Sequence, residues 1–248
     1  MMPTVKEMLK VGNQAETIYQ TKFDDYLRQW EKEKNADRSD HFHASSLTDK
    51  DFCLVKAVLD EMIPGTNEGF PPRILSVFQA GIDIHNKHQE FQRKSGMAIQ
   101  IEQQYYSEFL EMTATPDSVI EFLNCRTITE IKSMNCFQFS KLSGPPANAY
   151  AQSQIYMYIT ALPQTLVIVE DKNTQALKVY KVEFNLEDAL ALIKRRRVIM
   201  RCMKHHVIPV SKRICEKKNQ RKRCKFNDIC FNLEYEIKKG NLKGAKLK

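Results

Sequence analysis

Apolar residues in the first part of the chain recur at helical spacing. Tyr19, Phe23, Tyr26, Leu27 and Trp30 make one stripe, which predicts a core-packing helix over residues 14–34. A polar break follows with His41 and His43, both expected at the surface. A second helix is predicted over 48–62. Thr48 with Asp51 three residues on resembles a capping box, and Cys53 falls in the first turns. Pro-Gly and Pro-Pro mark 63–72 as a loop. A third helix over 73–93 puts Ile74, Leu75, Phe78, Ile82 and His85 on one face, with His88 off the stripe and exposed.

The period then changes from that of a helix to that of a strand. Residues 98–109 alternate weakly and read as one strand. Residues 113–135 read as two strands joined by a tight turn. A loop with Ser-Gly-Pro-Pro precedes a helix over 149–162. Strands are predicted over 165–170 and 176–184, then a helix over 186–203. This order predicts an α/β fold: a restriction-endonuclease-like core with a central mixed sheet flanked by helices, plus an N-terminal helical lobe. The expected division is 1–72 for that lobe, 73–205 for the core, and 206–248 for a Cys-rich basic segment.

Composition narrows the class. The 248 residues are 42% hydrophobic and 27% charged, as in a soluble globular protein. No apolar run is long enough to span a membrane. The first ten residues have no apolar signal core, so a cytoplasmic location is expected. The net charge of +8 is uneven: 19 Lys and Arg against 4 Asp and Glu fall in residues 194–248. Such a tail suits a polyanion, most simply DNA; a basic run, Lys194-Arg195-Arg196-Arg197 included, is more usually a solvated face. Seven cysteines, an odd number, argue against a disulfide framework.

Candidate chemistry centres on the predicted hairpin. Residues two apart on a strand share a face, so Glu130 and Lys132 point one way and Ile131 the other. A turn at Asn124 and Cys125 would set Asp117 opposite Lys132, with Glu130 its diagonal neighbour at roughly 7–8 Å. Two carboxylates at that span can hold one hard cation such as Mg²⁺ or Mn²⁺. A bound cation lowers the pKa of a ligated water and stabilises charge on a phosphoryl group. A lysine beside it can orient the water or neutralise an oxyanion. Taken alone, Glu-x-Lys on a strand is as often a solvated face.

Two further positions are ambiguous by themselves. His85, on an apolar stripe, is more often a satisfied core residue than a ligand. Gln152 and Tyr156 lie four apart on one helix face, either a wet helix edge or an amide and a phenol that orient water or phosphate.

Together these residues resemble the PD-(D/E)xK nuclease superfamily, in particular its RecB-like iron–sulfur branch, which includes the CRISPR-associated adaptation nuclease and the AddB nuclease domain. The similarity runs from about residue 45 to 231. It includes Phe-Gln-Ala-Gly-Ile-Asp-Ile-His ending at His85, Asp117 in Thr-Pro-Asp-Ser-Val, Glu130-Ile131-Lys132, and Gln152 to Tyr156 as Gln-x-x-x-Tyr. The resemblance implies that His85, Asp117, Glu130 and the backbone carbonyl of Ile131 hold Mg²⁺ or Mn²⁺. Asp117, Glu130, Lys132, Gln152 and Tyr156 would form the catalytic set. It further implies that Cys53, Cys215, Cys224 and Cys230 bind a [4Fe–4S] cluster, with zinc as the alternative. Eight residues separate Cys215 from Cys224, where the branch usually has C-x-x-C.

The expected function is a metal-dependent deoxyribonuclease acting on DNA ends or single strands, an exonuclease before an endonuclease. A homo-oligomer is compatible with this reading. The rival is a nuclease-like module that only holds nucleic acid and carries zinc.

Overall fold

In the computed structural model, residues 5–36, 41–49, 51–63, 69–209 and 224–230 are described. Two compact units emerge: residues 1–40 with 68–83, and residues 41–67 with 84–248. One helix, α3 (Pro72–Lys94), runs from the first into the second.

The first unit is helical. Its long helix α1 spans Val5–Ala36, well beyond the predicted 14–34. Leu27 is buried, but Tyr19 and Tyr26 are largely exposed. The expectation that all five stripe residues pack in a core is therefore corrected. Tyr19, Phe23 and Tyr26 instead stack on one another along the helix surface. The Tyr26 hydroxyl accepts a hydrogen bond from Gln79 Nε2 of α3 at 2.8 Å.

The second unit is built on a five-stranded mixed sheet. Its strands are β2 (Ala98–Ile101), β5 (Ser118–Phe122), β6 (Cys125–Met134), β7 (Gln164–Asp171) and β8 (Leu177–Glu183), adjacent in that order. β6 and β7 are parallel and the other neighbours antiparallel. A parallel pair needs a crossover, supplied here by α4 (Cys136–Ser140) and α5 (Ala147–Thr160). β7 reads Thr-Leu-Val-Ile-Val, a nearly continuous β-branched run that suits a strand covered on both faces. A smaller sheet joins β1 (Phe42–His43), β4 (Met112–Ala114) and β3 (Tyr105–Ser107). The predicted single strand over 98–109 is thus two strands in different sheets. Glu102, with φ of 48°, marks the break.

The main core lies between the large sheet and α5 with α6 (Leu186–Lys204). Ile128, Ile155, Val167 and Val169 are fully buried in it, each worth about 1.5–3 kcal/mol relative to exposure. Asn185 caps α6 by accepting from the backbone N–H of Glu187 and Asp188 at 3.0 and 3.2 Å, and those two acids suit the positive end of the helix dipole.

The second helix, α2, spans Leu54–Met62, with Cys53 as its N-cap residue. The expected capping box at Thr48 is absent, because the Thr48 hydroxyl donates to Ser45 carbonyl oxygen at 2.8 Å and closes a separate short turn. The basic run at 194–197 is a solvated face only in part: Lys194, Arg195 and Arg197 are exposed. Arg196 is buried, donating to the Leu110 and Glu111 carbonyls at 2.8 and 2.7 Å and lying over the Phe42 ring. Arg195 donates to the Leu47 carbonyl at 2.7 Å.

Candidate active site

The β5–β6 hairpin turns at Leu123 and Asn124, both with positive φ (50° and 58°), as a two-residue primed turn requires. The turn lies one residue earlier than predicted. The register pairs Ser118 with Thr129 and Phe122 with Cys125. Continued one step, it sets Asp117 opposite Glu130, not Lys132. The slip is by two residues, so the face is preserved: Asp117, Glu130 and Lys132 share one side of the sheet.

The same continuation sets Pro116 opposite Ile131. Ile131 sends its N–H toward β5, where the Asp117 carboxylate receives it at 2.6 Å. The N–H and C=O of a strand residue leave by the same edge, so the Ile131 carbonyl also points there. Pro116 has no N–H to offer it. The order Pro-Asp thus ends the ladder and directs a main-chain oxygen to the Asp117 side.

Asp117 is held from several directions. Its Oδ1 lies 3.0 Å from His85 Nδ1. Its carbonyl accepts from Gln89 Nε2 at 3.1 Å and from the Glu102 N–H at 3.2 Å. His85 and Gln89 are one turn apart on α3, so one helix face grips both ends of this residue. Gln92, the next position along, accepts from Ser118 Oγ at 2.5 Å. Sequence patterning missed Gln89 and Gln92 because polar residues on a predicted helix read as solvated. His88 was expected to be exposed; it is buried, its Nε2 2.7 Å from Glu170 Oε2. The helix packs against a sheet face carrying Ser118, Thr129 and Glu170, so its inward face is polar.

Glu130 is fully buried and paired with Lys132. The Lys132 Nζ donates to Gln152 Oε1 at 3.2 Å, and Gln152 Nε2 donates to the Tyr156 hydroxyl at 2.8 Å. Two bonded chains thus lie side by side at β6: His85, Asp117 and the Ile131 N–H in one, and Glu130, Lys132, Gln152 and Tyr156 in the other. Gln154, on another side of α5, is structural, bonding the Glu183 carbonyl and the Asn185 N–H.

The charges follow the burial. Desolvation, then the Asp117 charge, push the Glu130 carboxyl up to about 7 against the pull of Lys132. Burial lowers the Lys132 pKa, but the Glu130 carboxylate outweighs it and the net shift is upward. His85 is also raised: burial opposes its charge, and the Asp117 hydrogen bond and charge more than compensate. Burial holds Tyr156 well above the ordinary phenol range, so it remains a neutral hydroxyl.

A divalent cation suits this donor set. Glu130 Oε2 is buried with no hydrogen-bond partner, an orphaned acceptor that costs about 1–3 kcal/mol unless something answers it. Hard oxygen donors and one imidazole are the ligands expected for Mg²⁺ or Mn²⁺. Among the described residues, however, no three His, Cys, Asp or Glu side chains already form a metal-holding group. His85 is turned to Asp117, and the ammonium of Lys132 sits on Glu130.

A second grouping involves cysteines. Val55, Leu59, Phe226 and Cys230 form a small buried cluster, with Cys53, Cys224 and Ile208 packed against it. Lys225 Nζ reaches Asp60 at 2.6 Å. Residues 224–230 thus dock on α2, and Cys53, Cys224 and Cys230 border one apolar cluster, but among the described residues they do not form a metal-holding group. Cys215 lies outside the described residues.

No protein-family model and no curated protein sequence matches the chain. Solved structures do. LHK-Exo, an alkaline exonuclease from Laribacter hongkongensis, aligns with a TM-score of 0.54 at 14% identity, over 69% of this chain and 91% of that one. The crystal structure of SSO0001 aligns with a TM-score of 0.51 at 13% identity, over 83% and 95%. At such identities the likeness is one of fold: this chain has the mixed α/β nuclease fold of the alkaline exonuclease. No described helix is long and apolar enough to cross a membrane.

Proposed function

We propose that the chain is a divalent-cation-dependent deoxyribonuclease, an exonuclease acting on DNA ends or single strands. The observation that carries this reading is the juxtaposition of two polar chains on adjacent strand ends, His85 with Asp117 and Glu130 with Lys132, Gln152 and Tyr156. The nuclease fold alone would carry less, because a fold hosts many activities.

His85, Asp117, Glu130 and the Ile131 carbonyl would hold Mg²⁺ or Mn²⁺. When bound, the cation supplies Lewis acidity to water and to the phosphoryl oxygens. The protein's own groups do the rest. Lys132 holds the proton inventory at Nζ: paired to Glu130 it is charged and orients the attacking water or neutralises the phosphate oxygen. Gln152 fixes where Nζ sits by accepting its hydrogen bond. Tyr156, kept as a phenol, fixes Gln152 in turn. Asp117, tied by its carbonyl to Gln89 and Glu102, keeps its carboxylate aimed at the shared centre.

Cleavage of a labelled single-stranded oligonucleotide with Mn²⁺ or with a chelator tests this reading. Lys132→Ala and Asp117→Ala are expected to lower the rate by at least about 10²-fold while circular dichroism and melting stay close to wild type. Unchanged cleavage in both variants would refute it.

We further propose that Cys53, Cys224 and Cys230, with Cys215, hold a [4Fe–4S] cluster that ties the C-terminal segment to α2. Support comes from the shared apolar cluster around three of them and from the resemblance of the motif order. Metal analysis of anaerobically purified protein separates iron from zinc and from neither. The expected result is four iron per chain, and its absence removes the cluster while leaving the nuclease reading intact.

A further inference from the structure

We propose that Phe137, with Lys141 against it, is a stacking platform for an unpaired DNA base beside the candidate site. The proposal rests on the nucleic-acid reading above. Phe137 lies on α4, directly after the strand that carries Glu130 and Lys132, and is 66% exposed. It is five positions on from Lys132, a reach of at most about 18 Å. Phe139, two positions on, is buried in the core formed with α5. That fixes which face of α4 turns inward, and Phe137 is on the other.

The platform is held rigidly. A helix of five residues has little stability of its own. This one is capped by Asn135, whose side chain accepts from the Gln138 N–H at 2.9 Å. Its first N–H, from Cys136, donates to Asn173 Oδ1 at 3.2 Å. At its far end Lys178 Nζ donates to the Phe139 and Leu142 carbonyls at 2.8 and 2.9 Å. With both ends pinned to β7–β8 and Phe139 filling the pocket beneath, the Phe137 ring stays in solvent.

The surroundings indicate which ligand it meets. Lys141 Nζ lies over one face of the ring, 3.7 Å from its centroid, a cation on a long flexible stem that can turn to the phosphate of a base stacked there. Residues 131–169 contain no Asp or Glu, in a chain with 30 of them. The exposed neighbours Asn135, Gln138, Ser140 and Lys141 are polar or cationic. A protein partner would call for a contiguous apolar patch, and duplex DNA hides its base faces by stacking on itself. One aromatic ring in a polar rim fits a single-stranded base.

The test is binding without hydrolysis. A fluorescein-labelled single-stranded oligodeoxyadenosine and an abasic oligomer of equal length are titrated by anisotropy, in chelator, with wild type, Phe137→Ala and Phe137→Trp. Phe137→Ala is expected to bind the base-bearing oligomer about 5- to 150-fold more weakly, Phe137→Trp to match wild type, and all three to bind the abasic oligomer alike. Equal affinity of wild type and Phe137→Ala within twofold, an equal loss on the abasic oligomer, or no binding by wild type overturns the platform. A protein that binds in this pattern but never cleaves keeps the platform and removes the nuclease. One that cleaves with unchanged Phe137→Ala affinity removes the platform alone.

Discussion

Glu130 ties function to a stability cost that can be measured. Its carboxyl is fully buried beside Asp117, and its pKa is raised from 4.5 to about 7. The folded protein therefore keeps a proton that the unfolded chain releases between those values. Where the native state binds more protons, stability falls as pH rises. At about 1.4 kcal/mol per pKa unit, the carboxyl costs roughly 3 kcal/mol by pH 8 relative to pH 4. Glu130→Gln removes the titrating group. Urea denaturation of both proteins in chelator, from pH 4.5 to 8, is the assay. His85 titrates in both, so the difference in slope reports Glu130 together with its influence on His85 and Lys132. The wild type is expected to lose up to about 3 kcal/mol more than the variant over that window. Mn²⁺ at a hundredfold above its dissociation constant should return about 2.7 kcal/mol to the wild type at pH 8, and much less to the variant. Parallel slopes, or equal stabilisation by Mn²⁺, would show that Glu130 is not a desolvated carboxyl awaiting a cation.

Other predictions follow from single interactions. Leu123 is 83% exposed in a left-handed conformation, so Leu123→Asn should stabilise the hairpin by about 0.5–1 kcal/mol, read as a raised urea midpoint at constant slope. Arg196→Lys should destabilise by about 3 kcal/mol or more, because one ammonium cannot replace the fork that holds Leu110, Glu111 and Glu61; denaturation of the purified variant measures it. Cation affinity, followed by calorimetry, should strengthen as pH rises through about 7, where Glu130 loses its proton, and a flat profile would detach Glu130 from the cation. Gln89→Ala and Gln89→Glu should each lower the cleavage rate, Glu the more, since both lose the Nε2 donor to the Asp117 carbonyl and Glu also sets a carboxylate against Glu102; initial rates of the two purified variants check the order.

The order of elements was legible because each rests on local chemistry. Apolar spacing announced α3 and α6, β-branched runs announced β6 and β7, and Ser-Gly-Pro-Pro placed the loop before α5. The residues that lie together at the candidate site were singled out because residue type follows chemistry: two acids, a lysine two positions from one of them, an amide and a phenol at helical spacing. The hairpin parity also survived a misplaced turn, because a slip of two residues leaves every side chain on its face.

What patterning could not reach was whatever depends on a partner distant in sequence. His88 looked exposed until Glu170 of β7 was brought to it, and Gln89 and Gln92 looked solvated until α3 lay across polar strand ends. The Lys194–Arg197 run read as a solvated face until the loop carbonyls of Leu47 and Leu110 claimed two of its arginines. Periodicity reports whether a face is apolar, not whether a polar group will find a hydrogen bond inside. That second question is decided only when chain closure brings together groups tens of residues apart, and it is there that this fold assembled its candidate site.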